Sequence, residues 1–281
     1  MDDTMTLYFI GMGPSTEYIS LKAMKILRTV DKVYIDTYTS ILPDFSIDFI
    51  MKYTKRDAEI VVANRSVLEG EGIDFIVKEA SEKNIAIIVP GDPFIATTHD
   101  AIRIEALAKG IDVKVVHGVS IYSLAPSATG LQAYRFGKTV TLVYPHGFKP
   151  YSVIETIYNN MDLRLHTLVL LDLKLEKGIA MTIKEAVEIL LDLEIEYSGS
   201  NRLRNVVAVG LAQVGTENEY VRADLLPNLG NYDYPPPPHS IIIVADPHPM
   251  ELEALHLICN LPQHIYEKFN RIPKHGSNVI L

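Results

Sequence analysis

Short runs of consecutive apolar residues alternate with helical patterns through the first half of the chain. The runs predict strands over residues 7–10, 33–35, 59–62, 85–89 and 113–116. Between the strands, apolar residues recur at helical spacing, as at Leu21, Met24 and Leu27, and the pattern also predicts a helix over residues 66–81. Continuous apolar strands separated by such helices are typical of a mostly parallel sheet that is covered on both faces.

The second half of the chain predicts another α/β unit with a less regular order of strands. Apolar runs predict strands over residues 139–143, 167–171, 206–209 and 241–244. A helix is predicted over residues 182–195, and a short strand at Tyr220-Val221-Arg222 would make this sheet mixed. The tail beyond Leu261 shows no clear pattern. We therefore predict two α/β domains, residues 1–137 and 138–281.

The composition is that of a globular protein with a sizeable core, since 48% of the 281 residues are hydrophobic and 22% are charged. The formal net charge is −9 and Lys and Arg form no dense run, which argues against a nucleic-acid partner. The start, Met1-Asp2-Asp3-Thr4, lacks the basic residues of a secretory signal, and the apolar runs are shorter than the ~20 residues of a membrane span. We expect a cytoplasmic protein without a membrane partner.

The chain has one cysteine, Cys259, within an apolar run, which predicts a buried structural thiol rather than a nucleophile. The histidines show no H-x-x-x-H spacing, and with a single cysteine no metal site is predicted.

Gly11-Met12-Gly13-Pro14-Ser15-Thr16 follows the first predicted strand directly. Glycine there lets the backbone approach a ligand closely. A nicotinamide dinucleotide fingerprint would need glycine in place of Thr16, and Pro14 removes an amide that a pyrophosphate would use. Asp36 follows the second strand, where a ribose-binding acid would lie. A nicotinamide-dependent oxidoreductase and a plain tight turn therefore both remain alternatives.

A richer loop follows the strand at residues 85–89. It reads Pro90-Gly91-Asp92-Pro93 and continues through Ala96-Thr97-Thr98-His99. Open parallel sheets bind ligands at the carboxyl ends of their strands, and a helix cap alone does not explain so many special residues. Two further candidates, residues 117–123 and Pro238-His239-Ser240, are equally well explained as ordinary polar loops when each is taken alone.

Taken together, these segments resemble the diphthine synthases. The matching stretches run in order along the chain, at residues 7–13, 38–40, 91–99, 120–123, 130–138, 166–168, 171–174 and 238–240. The long Gly-Asp-Pro-Phe loop that ends in Ala-Thr-Thr-His distinguishes this branch from the tetrapyrrole methylases, which share the fold and have a shorter Gly-Asp-Pro loop.

The resemblance implies a two-domain α/β methyltransferase of the tetrapyrrole methylase-like type, a homodimer with the methyl donor in a cleft between its domains. It implies S-adenosyl-L-methionine as donor, S-adenosyl-L-homocysteine as product, and elongation factor 2 as partner. The acceptor would be the amino group of an aminocarboxypropyl-modified histidine, which gives diphthine in diphthamide biosynthesis. Family contacts to the donor carry over onto Pro14, Asp92, Ile95, Ser120, Ile121, Leu171, Leu211 or Ala212, and His239.

The sequence assigns no catalytic base. His99 and His239 are candidates because histidine as a residue type titrates near neutral pH, but His99 is better explained as a residue that caps or satisfies its own loop, and His239 as a donor contact. Transfer from a sulfonium to a neutral amine mainly needs alignment and exclusion of water, which suits a chain without an obvious triad.

Two other functional classes remain open at this stage. A tetrapyrrole C-methyltransferase would share donor site and fold, but a porphyrinoid would call on several arginines to bind its carboxylates. Between His99 and Gly137 the chain has only Arg103 and Arg135. The other class is a non-catalytic binding module on a retained fold, since a fold by itself does not establish activity.

Overall fold

The structure is a computed structural model that describes residues 5–271, so the predictions for residues 1–4 and for the end of the tail lie outside it. The strands are β1 (Thr6–Gly11), β2 (Lys32–Asp36), β3 (Glu59–Ala63), β4 (Ile85–Val89), β5 (Asp112–Val116), β6 (Val140–Leu142), β7 (Thr167–Leu171), β8 (Leu173–Lys174), β9 (Ile179–Ala180), β10 (Val207–Ala212), β11 (Tyr220–Leu225) and β12 (His239–Ile243). The helices are α1 (Leu21–Leu27), α2 (Ile47–Tyr53), α3 (Arg65–Leu68), α4 (Glu71–Ala80), α5 (Asp100–Ala108), α6 (Ile121–Thr129), α7 (Tyr151–Asp162), α8 (Ile183–Ser198), α9 (Leu226–Leu229), α10 (Pro249–Leu257) and α11 (Gln263–Asn270).

Two compact units divide the chain. The first extends to Leu124 and also takes in Leu173–Ala180 and Gly215–Glu217, and the second contains the remainder. The division therefore falls inside α6. The predicted boundary after residue 137 lies just before β6, the first strand of the second sheet, and it stays a prediction about folding domains.

The first unit is built on a sheet of five parallel strands in the order β3-β2-β4-β1-β5. Helices α4 and α5 pack on one face, against Leu7 and Phe9 of β1, while α1 and α2 pack on the other, against Ile10 and Ile88. All residues of the central strand β4 are buried, which explains its unbroken apolar sequence. The predicted parallel sheet with both faces covered is confirmed.

The helix predicted over residues 66–81 is interrupted. It consists of α3 and α4, separated at Gly70, whose φ is +59°. The chain also folds back tightly there, because a Cβ on Gly72 would lie 2.2 Å from the carbonyl oxygen of Val67. The apolar periodicity continued across the break, so the pattern did not reveal it.

The second unit has a mixed sheet in the order β11-β10-β12-β7-β6, with β6 and β7 parallel and the other pairs antiparallel. This confirms the predicted mixed sheet. Helix α8 begins with a capping box in which Thr182 and Glu185 satisfy each other's backbone amides. The tail differs from the prediction, because α11 occupies residues that showed no clear pattern, and its Ile265 is buried.

The thiol of Cys259 is fully buried, as predicted for a structural cysteine. Burial raises its pKa to about 12, which leaves it protonated and unreactive. Within residues 5–271, no helix combines the length and apolarity that a membrane crossing requires.

A buried carboxylate organises one side of the second unit. Glu251 accepts hydrogen bonds from the backbone amides of Gln132 (2.9 Å) and His248 (2.7 Å), from Arg135 Nη1 (2.7 Å) and from His166 Nε2 (3.1 Å). Burial by itself raises the pKa of Glu251, but the hydrogen bonds from His166, Gln132 and His248 outweigh it and lower the pKa to about 2. The carboxylate thereby ties α10 to the stretch at residues 130–138.

Glu251→Gln should lower the free energy of unfolding at pH 7 by roughly 3–5 kcal/mol, because it leaves the buried donors around it without a charged acceptor. The folded pKa of about 2 lies below the ordinary 4.5, so the stabilisation is present above about pH 4.5 and is lost as the pH falls toward 2. The difference in unfolding free energy between the variant and the wild type, measured by urea unfolding, should therefore become smaller as the pH falls. Glu253→Gln, on the exposed side of the same helix, is the control. Equal stability of the two variants at pH 7 would contradict the assignment.

Candidate functional site

The carboxyl ends of β4, β1 and β5 lie side by side, because these strands are neighbours in a parallel sheet. We name the segments that follow them the β4 loop (residues 90–99), the β1 loop (12–20) and the β5 loop (117–120). The chain leaves β1 toward α1 on one face of the sheet and leaves β4 toward α5 on the other. Such a switch point is where open α/β sheets bind ligands.

Glycine makes this meeting of loops possible. A Cβ on Gly118 would lie 2.1 Å from the carbonyl oxygen of Gly91, and one on Gly11 would lie 2.5 Å from the nitrogen of Gly118. Gly13 and Gly91 exchange two backbone hydrogen bonds, of 3.0 and 2.8 Å. The φ of Gly91 is +70°, which a β-branched residue would adopt only with strain. Three loops are thus joined backbone to backbone.

Asp92 ties the β4 loop to the β5 loop. One carboxylate oxygen accepts from His117 Nδ1 (2.9 Å) and from the amide of Gly118 (3.3 Å), and the other accepts from the amide of Phe94 (3.0 Å). The side chain is nearly buried. Further along this loop, Ala96 has a φ of +55°, a strained backbone of the kind that clusters at functional sites.

The other residues predicted for the first unit lie on the same three loops or directly after them. Pro14 and Ile95 are half-buried, and Ser120 accepts the amide of Tyr122 at the start of α6, whose first residue is Ile121. The structure therefore gathers all five predicted first-unit residues at one edge of the sheet. Their contact with a donor stays a prediction.

The hydroxyl groups of the β1 loop bind Asp44, which lies in the segment between β2 and α2. The Ser15 hydroxyl donates to Asp44 Oδ2 at 3.0 Å, and the amide and hydroxyl of Thr16 donate to the same carboxylate. The sequence did not single out Asp44, because its partners lie 28 and 29 positions away along the chain.

Asp36 is not available to a ribose. Its buried carboxylate accepts the amides of Tyr38 (2.9 Å) and Thr39 (3.1 Å) and the Thr39 hydroxyl. His99 lies against it, with Nε2 3.3 Å from Asp36 Oδ2 but without the alignment of a hydrogen bond. The acidic residue on which the nicotinamide alternative depended therefore has a structural role in its own loop.

His99 is a structural residue of its loop. The ring is fully buried, and Nδ1 lies 2.7 Å from the hydroxyl of Thr97. The neighbouring Thr98 joins Tyr38 and Glu69 in a hydrogen-bonded triangle, with distances of 2.8–3.2 Å. The Ala-Thr-Thr-His end of the β4 loop therefore binds the segment after β2.

In the second unit, the remaining predicted residues lie along a single edge of the sheet. Strand β12 runs antiparallel to both β7 and β10, so its start lies beside the ends of those two strands. Ala212 pairs with His239, Leu211 pairs with Ser240, and Leu171 is one residue beyond the partner of Ser240. All four predicted residues are buried.

His239 is not a free base. The amide of Ile183 donates to its Nδ1 (3.2 Å), and its Nε2 donates to the carbonyl oxygen of Pro235 (2.7 Å). Burial lowers the pKa of His239, so the ring is neutral with the proton on Nε2. Within the described range, no three His, Cys, Asp or Glu side chains are grouped so as to hold a metal ion.

The comparisons with known proteins agree with this geometry. The family model for the Tetrapyrrole (Corrin/Porphyrin) Methylases matches residues 6–230. The chain is 62% identical over 264 residues to the diphthine synthase of Staphylothermus marinus, covering 94% of this chain and 97% of that one. It is 37% identical to the diphthine synthase of Methanosphaera stadtmanae, covering 94% and 99%. A crystal structure of a diphthine synthase superposes with a TM-score of 0.82 at 34% identity, covering 93% of this chain and 99% of that one.

Gly118→Ala should lower the free energy of unfolding by about 1–3 kcal/mol, the usual cost of overpacking, because its Cβ has no room beside Gly91. Urea unfolding measures this. Gly230→Ala is the matched control, since a Cβ there meets its nearest atom at an ordinary 3.6 Å and its φ is −66°. A Gly118→Ala protein as stable as the Gly230→Ala protein would show that the loops are not in tight contact.

Proposed function

The chain belongs to the diphthine synthases, a branch of the tetrapyrrole methylases, and from this premise we propose how its residues serve methyl transfer. It is an enzyme of diphthamide biosynthesis, an S-adenosylmethionine-dependent methyltransferase. We propose that it methylates the amino group of the aminocarboxypropyl-modified histidine of elongation factor 2. The observation that carries the proposal is the meeting of the β1, β4 and β5 loops at the switch point, on a chain that matches these synthases over almost its full length.

The residues present fit the proposed donor. Asp92 offers a carboxylate and Ser120 a hydroxyl to the polar groups of a nucleoside, while Ile95 and Ile121 offer apolar contact to a base. A Cβ on Gly91 would meet its nearest atom only at 4.0 Å, so the backbone there is open to close approach. When bound, S-adenosylmethionine supplies a methyl group activated by its positively charged sulfur. We propose these contacts together with Pro14.

We propose that the second-unit residues Leu171, Leu211, Ala212 and His239 also contact the donor. Their support is that they share one buried sheet edge. His239 contributes there through its ring surface and backbone, because both ring nitrogens are already engaged.

The chemistry assigned to the chain needs positioning more than acid–base catalysis. His99 is buried in its loop, and His239 is neutral with both nitrogens bonded. An amine with a free electron pair needs no covalent intermediate. The residues act by aligning the amine with the methyl carbon and by excluding water, which are the main contributions in a displacement of this kind.

The small number of arginines between His99 and Gly137 disfavours a porphyrinoid acceptor. Of the two between His99 and Gly137, Arg135 is held by Glu251 and by the carbonyl oxygens of Arg164 and Asp246. Only Arg103 remains in that stretch, and it lies over the ring of Phe94. Binding several carboxylates would need more arginines than this stretch supplies.

We also propose a homodimer, because α10 and its end leave large apolar side chains in solvent. Met250, Leu257 and Ile258 are 68%, 69% and 52% exposed. A run of exposed apolar side chains on one element marks an interaction surface. Light scattering measures the mass of the purified protein in solution, and the mass of a single chain would contradict the proposal.

The purified protein should transfer a labelled methyl group from S-adenosylmethionine to elongation factor 2 that carries the aminocarboxypropyl histidine. The unmodified factor is the control and should take up no label, since it lacks the amine. Mass spectrometry of the product then counts the methyl groups. Label on a porphyrinoid instead of the modified factor would contradict the proposed acceptor.

Asp92→Ala should weaken the binding of S-adenosylhomocysteine by about 10- to 100-fold, the usual effect of losing a hydrogen bond to a charged group. Calorimetry measures the affinity, and a melting curve shows that the variant is folded. Asp100→Ala, at an exposed aspartate that begins α5, is the control. Wild-type protein should not bind a nicotinamide dinucleotide. An unchanged affinity in the folded Asp92→Ala protein would remove Asp92 from the donor site.

A further inference from the structure

A cavity of about 200 Å³ lies at the carboxyl edge of the first sheet, beside the β1 and β4 loops. It is lined by Met12, Ile35 and Ile88, at the ends of β1, β2 and β4, and Ile35 and Ile88 are directly paired in the sheet. Ser40, Leu42, Phe45 and Leu175 also line it. None of the residues predicted to contact the methyl donor lines it.

The wall of this cavity is almost wholly apolar. Its one charged side chain is Asp36, whose carboxylate is already bonded to Tyr38 and Thr39. The remaining polar groups are small, the hydroxyls of Thr37 and Ser40 among them. Such a wall favours the apolar part of a ligand, because a charged group placed against it would lose its hydration without gaining a partner.

The size of the cavity restricts what it can hold. Pockets that enclose a whole drug-sized ligand occupy about 300–1,000 Å³. A cavity of about 200 Å³ is too small for a complete nucleoside donor or for a porphyrinoid, and it suits a single side chain.

The cavity wall is fixed to both of the loops that carry the proposed donor contacts. The segment from Thr37 to Ser46, which we name the β2 loop, is held near its end by Asp44, which binds the β1 loop through Ser15 and Thr16. Near its start, Tyr38 donates a hydrogen bond to Glu69 (3.0 Å) and lies 2.8 Å from Thr98 of the β4 loop. The cavity and the donor loops are therefore one connected assembly. Met12 and Pro90 belong to both, since they line the cavity and adjoin the glycines that join the loops.

We propose that this cavity is the acceptor subsite, and that it holds the apolar body of the acceptor residue, its imidazole ring and short alkyl arm. The assignment rests on the proposed function. The ring and arm lie against Leu42, Phe45 and Leu175, and the amino and carboxylate groups at the end of the arm are presented toward the β1 and β4 loops, beside Met12 and Pro90. In each transfer the lone pair of the deprotonated nitrogen forms the bond to the methyl carbon, and the carbon–sulfur bond breaks with its electron pair on sulfur. A methylated nitrogen that still bears hydrogen then releases a proton to the bulk solvent.

Filling the cavity tests the assignment. Ser40→Leu adds a branched side chain to the cavity wall and should lower kcat/KM for the modified factor by about 10- to 200-fold, the range for one hydrophobic group too many in a pocket. The affinity for S-adenosylhomocysteine, measured by calorimetry, should not change. Ser46→Leu is the matched control, since this exposed serine ends the same loop, lies outside the cavity wall and makes no side-chain cap bond.

The outcomes separate the two proposals. If the wild-type protein transfers no methyl group to the modified factor, the proposed function fails. If the wild type is active and Ser40→Leu behaves as Ser46→Leu does, only the cavity assignment is overturned. A parallel loss of S-adenosylhomocysteine affinity in Ser40→Leu also overturns it, because the cavity would then belong to the donor. If a melting curve shows Ser40→Leu unfolded, Ile41→Phe fills the same wall and is judged by the same criteria.

Discussion

The close backbone contact between the ends of three neighbouring parallel strands is the constraint on which the site depends. It requires two positions without a Cβ, Gly11 and Gly118, and a left-handed backbone at Gly91. With these satisfied, segments that are distant along the chain, such as those of Gly13 and Gly91, meet within hydrogen-bonding distance. A side chain at either tight position would push the loops apart and separate the residues that they carry.

Carboxylates hold this arrangement together. Asp92 joins the β4 and β5 loops, Asp44 joins the β1 and β2 loops, and Asp36 fixes the start of the β2 loop beside His99. An ionised carboxylate accepts several hydrogen bonds at once, which lets one side chain position a whole segment. The acidic groups around the site therefore position its loops. This agrees with a reaction that needs alignment and the exclusion of water rather than a base.

In the second unit, strand pairing rather than carboxylates brings the predicted donor contacts together. Its candidate residues share an edge because β12 runs antiparallel to both of its neighbours. Burial keeps His239 neutral, and hydrogen bonds at both ring nitrogens fix its orientation. On another side of the unit, Glu251 gathers four donors from distant parts of the chain. Gln132 and Arg135, in the stretch at residues 130–138 that carries part of the family resemblance, thereby have a structural role.

The sequence alone determined the two α/β sheets, the central strand β4 and the glycine-rich loops, because buried parallel strands and tight turns leave local, continuous signals. The resemblance in its motifs also identified the family. The break at Gly70, the helix α11 and the roles of Asp44 and Glu69 appeared only in the tertiary structure. The cavity and the hydrogen bonds of Asp36 also appeared only in the tertiary structure. The roles of Asp44 and Glu69 and the cavity depend on partners tens of residues apart, and a one-dimensional pattern records which residues are apolar or polar but not which of them meet.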